Sequence, residues 1–401
     1  MKYVIIGASA AGLHAAYVLR MLNKEAEIVI LSEDKMLYSK CNMHYYMAGK
    51  KTMKGLNFMS DDFIEENRIT WKKGISVTAV YPEKNQVETC EGEIEEYDKL
   101  LIASGAHSFI PPIEGIDKAT NVCGFRSIED CERIMEISKK AEHIVILGAG
   151  LVGVDVVCGL MDKGVDISMV DVNSHLLAVQ LYSKSSHTYQ DKFTEQGVKF
   201  YFNTSIKALK SNSYGDITDV VLKDDEEIPC DFLIVSAGVR ANVSFLENSG
   251  LELDGKGLVI DKQGRTNVEN IYGAGDVTGK NLIWPVAVKE GVVAAVNMSG
   301  LNSEMTDYFY GKSWMNFFNI PTLSYGIHEL PDNSYSQEIE AGPKGYRRII
   351  YKDKKVEGAI VQGDVSYTDV LNIMIHDGIK LPEVKKKLLD YTGEDFIAPR
   401  Y

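Results

Sequence analysis

The sequence predicts an α/β fold with two parallel sheets, each opening on a strand, a glycine-rich turn and a helix. Three observations predict it. An apolar run at Lys2–Ile6 leads into Gly7-Ala8-Ser9-Ala10-Ala11-Gly12 and then an alanine-rich stretch of helical character to about residue 21. The same unit recurs as His143–Leu147, then Gly148-Ala149-Gly150-Leu151-Val152-Gly153, then a helical stretch to about residue 163. At 401 residues the chain exceeds one ordinary domain and has room for two or three.

In the first unit Gly7 permits a tight turn, the small Ser9 lets backbone approach a pyrophosphate, and Gly12 lets the helix pack closely on the strand. The helix start at Ala10 and Ala11 supplies unpaired N–H groups and a positive dipole end for phosphates. The middle glycine is missing, so this fingerprint is weak by itself. A second strand over 27–31 ends at Ser32-Glu33-Asp34. The usual acid for a ribose hydroxyl pair falls on Ser32, so Glu33 takes that role one residue late. In the second unit the GxGxxG is complete, and the strand Asp166–Val170 ends at Asp171, near the roughly 20-residue spacing such turns show. A complete fingerprint in that context, with its trailing acid, specifies a dinucleotide. The carboxylate of Asp171 accepts from a free 2′-hydroxyl and repels a 2′-phosphate, and no arginine follows closely, so NADH is favoured over NADPH.

Composition narrows the class. Apolar residues at 45% and charged residues at 25% are ordinary for a soluble globular protein. The net charge of -14 disfavours nucleic acid as a partner, because phosphate binding needs a positive field. No apolar run approaches the roughly 20 residues of a membrane span. The N-terminus enters a strand at once, so no signal peptide is expected. Cys41, Cys90, Cys123, Cys131, Cys158 and Cys230 are scattered, with no CxxC pair. That excludes an iron–sulfur cluster of usual spacing, a zinc ribbon and a thioredoxin-type dithiol, and no metal site is predicted. A reduced, cytoplasmic protein is expected.

Tyr97-Asp98-Lys99-Leu100-Leu101-Ile102-Ala103-Ser104-Gly105 resembles the segment closing the FAD domain of the pyridine-nucleotide disulfide reductase superfamily. Asp231-Phe232-Leu233-Ile234-Val235-Ser236-Ala237-Gly238, followed by Asn242, resembles its counterpart closing the NAD domain. Thr266 through Asn270-Ile271-Tyr272-Gly273-Ala274-Gly275-Asp276 resembles the second FAD motif, whose aspartate holds a ribitol hydroxyl. Covering residues 1 to about 300, the resemblance implies an FAD-binding domain (1–112 and 242–305), an inserted NAD-binding domain (113–241) and a small α/β C-terminal domain (306–401). It implies FAD contacts at Ala103, Ser104 and Gly105, the Val77 backbone against the adenine, Arg126 approaching the FAD, and Gly238 on the NAD side. Trp284-Pro285-Val286-Ala287 opens a helical run to Met298, and proline suits a helix's first turn. In the family this helix start, here at Val286 and Ala287, faces the flavin N1–C2 carbonyl, where its dipole favours the charge a hydride acceptor gains. The implied cofactors are FAD and NAD(H), with hydride passing from nicotinamide C4 to flavin N5. Near the nicotinamide the family carries a glutamate; here that position is Asp155, one methylene shorter.

Three readings of the electron acceptor follow from the resemblance. In one, Cys41, in Tyr38-Ser39-Lys40-Cys41-Asn42-Met43-His44-Tyr45-Tyr46, is a lone redox cysteine like that of coenzyme A disulfide reductases, NADH oxidases and peroxidases. Its thiolate would be stabilised by Lys40, and the C-terminal Ala398-Pro399-Arg400-Tyr401 resembles the tail of the coenzyme A enzymes. In the second, favoured here, the protein exchanges electrons between NADH and an iron–sulfur protein such as ferredoxin or rubredoxin. Residues 356–365 resemble the C-terminal region of rubredoxin reductases and nitrite reductase flavin domains, whereas the cysteine loop departs from them. In the third, the chain is the NADH-site subunit of a larger redox complex. Homodimer and complex subunit both stay open. Tyrosines 38, 45 and 46 suit a flavin wall, and Lys50, Lys51 and Lys54 would rim the flavin edge for an acidic carrier.

Overall fold

The computed structural model describes residues 1–307, 311–342, 345–365 and 368–380. The C-terminal residues 398–401 and their likeness to the coenzyme A enzymes lie outside the described residues. The first sheet has five parallel strands in the order Ile271–Gly273, Lys99–Ile102, Lys2–Ile6, Glu27–Ser32 and Ile69–Lys73. Both faces are covered, and the two-residue period of a strand divides them. Tyr3, Ile5, Ile28, Ile30 and Leu101 pack on the helices Ala10–Leu22 and Trp284–Met298. Val4, Ile6, Val29, Leu31, Leu100 and Ile102 pack on a small antiparallel sheet of Val77–Tyr81, Gln86–Thr89 and Ile94–Glu96. The edge strand Ile271–Gly273 comes from far along the chain, so this sheet is finished only after the chain has built a second one.

The second sheet repeats the plan, in the order Lys199–Tyr201, Asp166–Val170, His143–Leu147, Phe232–Val235 and Val122–Gly124. Ile144, Ile146, Ile167, Met169, Phe232 and Ile234 face the helical side. Val145, Leu147, Val170, Leu233 and Val235 face the antiparallel strands Ile206–Ser211, Ile217–Leu222 and Glu227–Pro229. The helix expected to reach about residue 163 runs from Leu151 to Leu160 and tightens into a 3₁₀ turn over Met161–Lys163.

A third sheet is antiparallel, in the order Ser313–Phe317, Ile320–Gly326, Lys355–Gly363, Gly345–Lys352 and Ser336–Gly342, with the helix Thr368–His376 against it. It docks on the helix Ser183–Glu195. The Tyr189 hydroxyl donates to the Ile320 carbonyl at 2.5 Å, and Gln362 Nε2 donates to the Ser185 carbonyl at 3.2 Å. Among the described residues no helix is long and apolar enough to cross a membrane, and no group of three metal-ligating side chains occurs.

Candidate dinucleotide and redox site

The two glycine turns obey one steric rule. Gly7 has φ +112°, and a Cβ there would lie 2.2 Å from the Ala103 carbonyl oxygen. At Gly12 a Cβ would lie 2.0 Å from the Gly7 carbonyl oxygen. Gly148 and Gly153 repeat both approaches, against Ser236 and Gly148. Gly150 and Gly238, by contrast, face open space. The helices Ala10–Leu22 and Leu151–Leu160 start at Ser9 and Gly150 with no side-chain cap. Uncapped N–H groups over a cradle without side chains fit a pyrophosphate, so the residues present fit a dinucleotide at each turn. Ser9, Ala10, Ala11 and Gly12 line the first start, and Leu151 and the exposed Val152 line the second.

Around the first turn the chain gathers residues distant in sequence. Ala103 follows a strand hydrogen-bonded to Ile6, with its N–H on the Ile6 carbonyl at 2.8 Å. Ser104 Oγ donates to the Asn242 carbonyl at 2.8 Å, and Asn242 N–H donates to the Gly105 carbonyl at 2.9 Å. Glu33 is exposed just beyond the second strand, and the Ile75 N–H ties that strand's end at Ser32 to the segment carrying Val77. Asp276 follows the edge strand and pairs with Arg126, whose Nε also donates to the Ala106 carbonyl at 3.2 Å. Beside it the buried Glu290 accepts the Gly275 N–H at 2.7 Å. Burial pushes its carboxyl up to about 7. Val286 and Ala287, in the first turn of the uncapped helix Trp284–Met298, are buried.

The cysteine loop differs from its expected chemistry. Cys41 is exposed on a 3₁₀ turn, yet protein crowds it, and this desolvation pushes its thiol upward, with Asp155 adding to the shift. Lys40 does not serve the thiol. Its Nζ is 3.4 Å from the Tyr38 hydroxyl and 3.9 Å from Asp34, and burial lowers its pKa. Tyr38 is a core residue rather than a wall, 3% exposed, donating to Asp34 at 2.9 Å and accepting from the Ile128 N–H at 3.3 Å. Asp155 is raised to about 7 by burial, and its Oδ1 is 3.5 Å from His44 Nδ1. In the second unit Asp171 is itself a brace. Its carboxylate accepts the Ala149 N–H at 2.6 Å, the Asn173 N–H at 2.7 Å and Asn173 Nδ2 at 2.8 Å, leaving one lone pair of about four for a ribose hydroxyl.

Two residues escaped sequence reasoning. Glu290 had a signal, since it is an acid three residues after Ala287 on a stripe that is mostly apolar. His44 had none, because the helix Met43–Met47 is too short to show a period. The profile of the family described as pyridine nucleotide-disulphide oxidoreductase matches residues 1–291. The epsilon subunit of the NADH-dependent phenylglyoxylate dehydrogenase of Aromatoleum evansii is 28% identical over 344 residues, covering 82% of this chain and 80% of that one. The assimilatory nitrate reductase electron transfer subunit of Bacillus subtilis (strain 168) is 25% identical over 371 residues, covering 90% of this chain and 48% of its relative, so the chain spans about half of that protein. Among solved structures, the NADH:rubredoxin oxidoreductase of Clostridium acetobutylicum superposes with a TM-score of 0.79 at 23% identity, covering 99% of this chain and 98% of the other. The NAD-dependent persulfide reductase of A. fulgidus gives 0.84 at 24%, covering 95% and 77%. Identities this low show the shared fold. With two dinucleotide turns and a family match over most of its length, the chain belongs to the pyridine nucleotide-disulphide oxidoreductases, enzymes that use FAD and NAD(H).

Proposed function

We propose that this chain passes electrons between NADH and an iron–sulfur protein such as a ferredoxin or rubredoxin, as the NADH-site subunit of a larger cytoplasmic redox complex. The observation that carries this reading is the state of Cys41: a disulfide or peroxide reductase needs a thiolate nucleophile, and here the thiol is pushed up while Lys40 is engaged by Asp34 and Tyr38. FAD, when bound, takes the hydride of NADH and hands electrons onward. The chain's own residues hold it. The uncapped start at Ala10 and Ala11 receives phosphates, Glu33 the adenosine ribose, Val77 the adenine, and Asp276, freed in part from Arg126, a ribitol hydroxyl. Asp155 lies on the nicotinamide side. In this reading 1–112 with 242–305 bind FAD, 113–241 bind NAD(H), and 306–401 form the C-terminal domain. Names among the relatives support it, since one is called a dehydrogenase subunit and another an electron transfer subunit.

Anaerobic titration with NADH, followed by absorbance, tests the proposal. Bleaching of the flavin with no long-wavelength thiolate-to-flavin band supports it; such a band overturns it. The exposure of Cys41 on its turn favours a second reading, a Cys41-dependent reductase of a disulfide, persulfide or peroxide or an NADH oxidase, and that band is its signature.

A further inference from the structure

The short helix Met43–Met47 is wedged between two longer ones. Toward Leu151–Leu160, Met47 fills the space beside Gly159, where a Cβ would lie 2.7 Å from the Met47 Cε. Toward Ile128–Ile137, the Met43 carbonyl accepts Cys131 Sγ at 3.7 Å. Both methionines are buried, so the backbone of His44 is fixed from two sides. Its imidazole, 4.0 Å from the Tyr45 ring, meets Asp155 with Nδ1 3.5 Å from Oδ1. Among the described residues no other Lys, Arg or His side chain lies within 4.0 Å of the Asp155 carboxyl, and the His44 ring, uncharged near neutral pH, meets it as a polar neighbour rather than as a cation.

We propose that His44 is a positioning residue of the nicotinamide site: its Nδ1 holds the Asp155 carboxyl in place, and NAD⁺ affinity then follows whether that carboxyl carries a proton. The inference rests on the reading that Asp155 lies at the nicotinamide. The other charged and titratable groups around the pair are accounted for. Lys50 and Lys51, whose N–H groups both bond the Tyr45 carbonyl, face His44 and help burial lower its imidazole to about 4. Cys41 and Cys158 feel Asp155, and both thiols are raised. On the third helix Cys131 and Glu132 act on Tyr46, and Glu129 on Tyr38 and Lys40. Near neutral pH the imidazole is therefore uncharged, and the proton that comes and goes is that of Asp155, near 7. An ionised Asp155 attracts the cationic nicotinamide of NAD⁺, and a protonated one does not.

Calorimetric titration of the FAD-loaded protein with NAD⁺ at pH 6, 7 and 8 tests this. The wild type is expected to bind about tenfold tighter at pH 8 than at pH 6, the most one pKa unit of linkage confers. Asp155→Asn should abolish the step. His44→Ala should weaken binding about fivefold at pH 8 and shift the step below pH 6, because the released carboxyl reaches water. His44→Asn, whose amide reproduces the Nδ1 donor, should restore binding at pH 8. His44→Gln, whose amide reaches the other ring nitrogen's place, should not. Flavin content and circular dichroism verify folding, and if His44→Ala fails to fold, the Asn–Gln contrast decides. Wild-type affinity and pH step in His44→Ala, or equal behaviour of Asn and Gln, overturns the role of His44 while Asp155→Asn still loses the step. An unchanged Asp155→Asn overturns the placement of Asp155, and this inference with it.

Discussion

Cys41 and Lys40 are adjacent in sequence and separate in their contacts, because a 3₁₀ turn leaves one exposed and folds the other onto Asp34 and Tyr38. Cys41→Ser should therefore keep its FAD and lose less than about tenfold, or about 1.4 kcal/mol of barrier, in NADH-driven reduction of a one-electron acceptor; stopped-flow reoxidation by a ferredoxin reads this out. Asp276→Ala should lose flavin, seen as a lower flavin-to-protein absorbance ratio, since it removes the acceptor proposed for the ribitol chain. Glu290 gives a pH prediction. Its folded pKa, about 7, is raised above the unfolded value, so its contribution is fully present below about pH 4.5 and lost as the pH rises through 7. About two and a half units correspond to about 3 kcal/mol. Urea unfolding of wild type against Glu290→Gln should show that slope only in the wild type. At this scale the fingerprint glycines and Asp171 were legible because each has a spacing. Lys40 was not, because nothing in YSKCN shows that its amine turns to Asp34 and the Tyr38 hydroxyl.

Between elements, one close approach of backbone to backbone lies where the helix Trp284–Met298 crosses Ala10–Leu22. A Cβ on Gly291 would lie 2.3 Å from the Ala11 carbonyl oxygen, and backbone cannot yield as a flexible side chain does. Gly291→Ala should cost at least about 2 kcal/mol and lower flavin occupancy, since the displaced helix carries Val286 and Ala287; thermal melting with and without FAD measures both. The sequence showed each helix, even the span from Trp284 to Met298. It did not show their crossing, because a glycine in an apolar run looks the same whether it meets solvent or backbone. The basic rim is narrower than its sequence suggests, for Lys54 is paired with Asp61 at 2.7 Å and Lys51 lies over the Tyr45 ring. The paired change Lys50→Glu with Lys51→Glu should raise the KM for an acidic carrier at low salt, an effect that fades as salt screens it.

Across the molecule, the centres of the two parallel sheets were legible because Lys2–Ile6 and His143–Leu147 are short apolar runs tied to glycine turns, whereas outer strands such as Ile69–Lys73, half polar, were not. The third sheet was expected only as a small α/β domain, on the resemblance of residues 356–365, and its strands were not read, since its edge Ser336–Gly342 is almost fully exposed and has no apolar face. Its attachment to the second unit was invisible, because the contact depends on Tyr189 and Phe193, two buried aromatics in an otherwise polar helix, packed on Phe317 and Phe318. Tyr189→Phe should cost about 1 kcal/mol by removing the bond to Ile320, measured as a lower unfolding midpoint.

The late arrival of the strand Ile271–Gly273 has a consequence for how the protein is made. Its neighbour Lys99–Ile102 leaves the ribosome roughly 170 residues earlier, about 10–30 s at roughly 5–20 residues per second. Throughout that interval the nascent first sheet has an unpaired inner edge at Lys99–Ile102, apolar on both faces, while the second unit is synthesised and folds. A chaperone bound to the growing chain has its substrate there, and Asp276 reaches its place only after the second turn is already built.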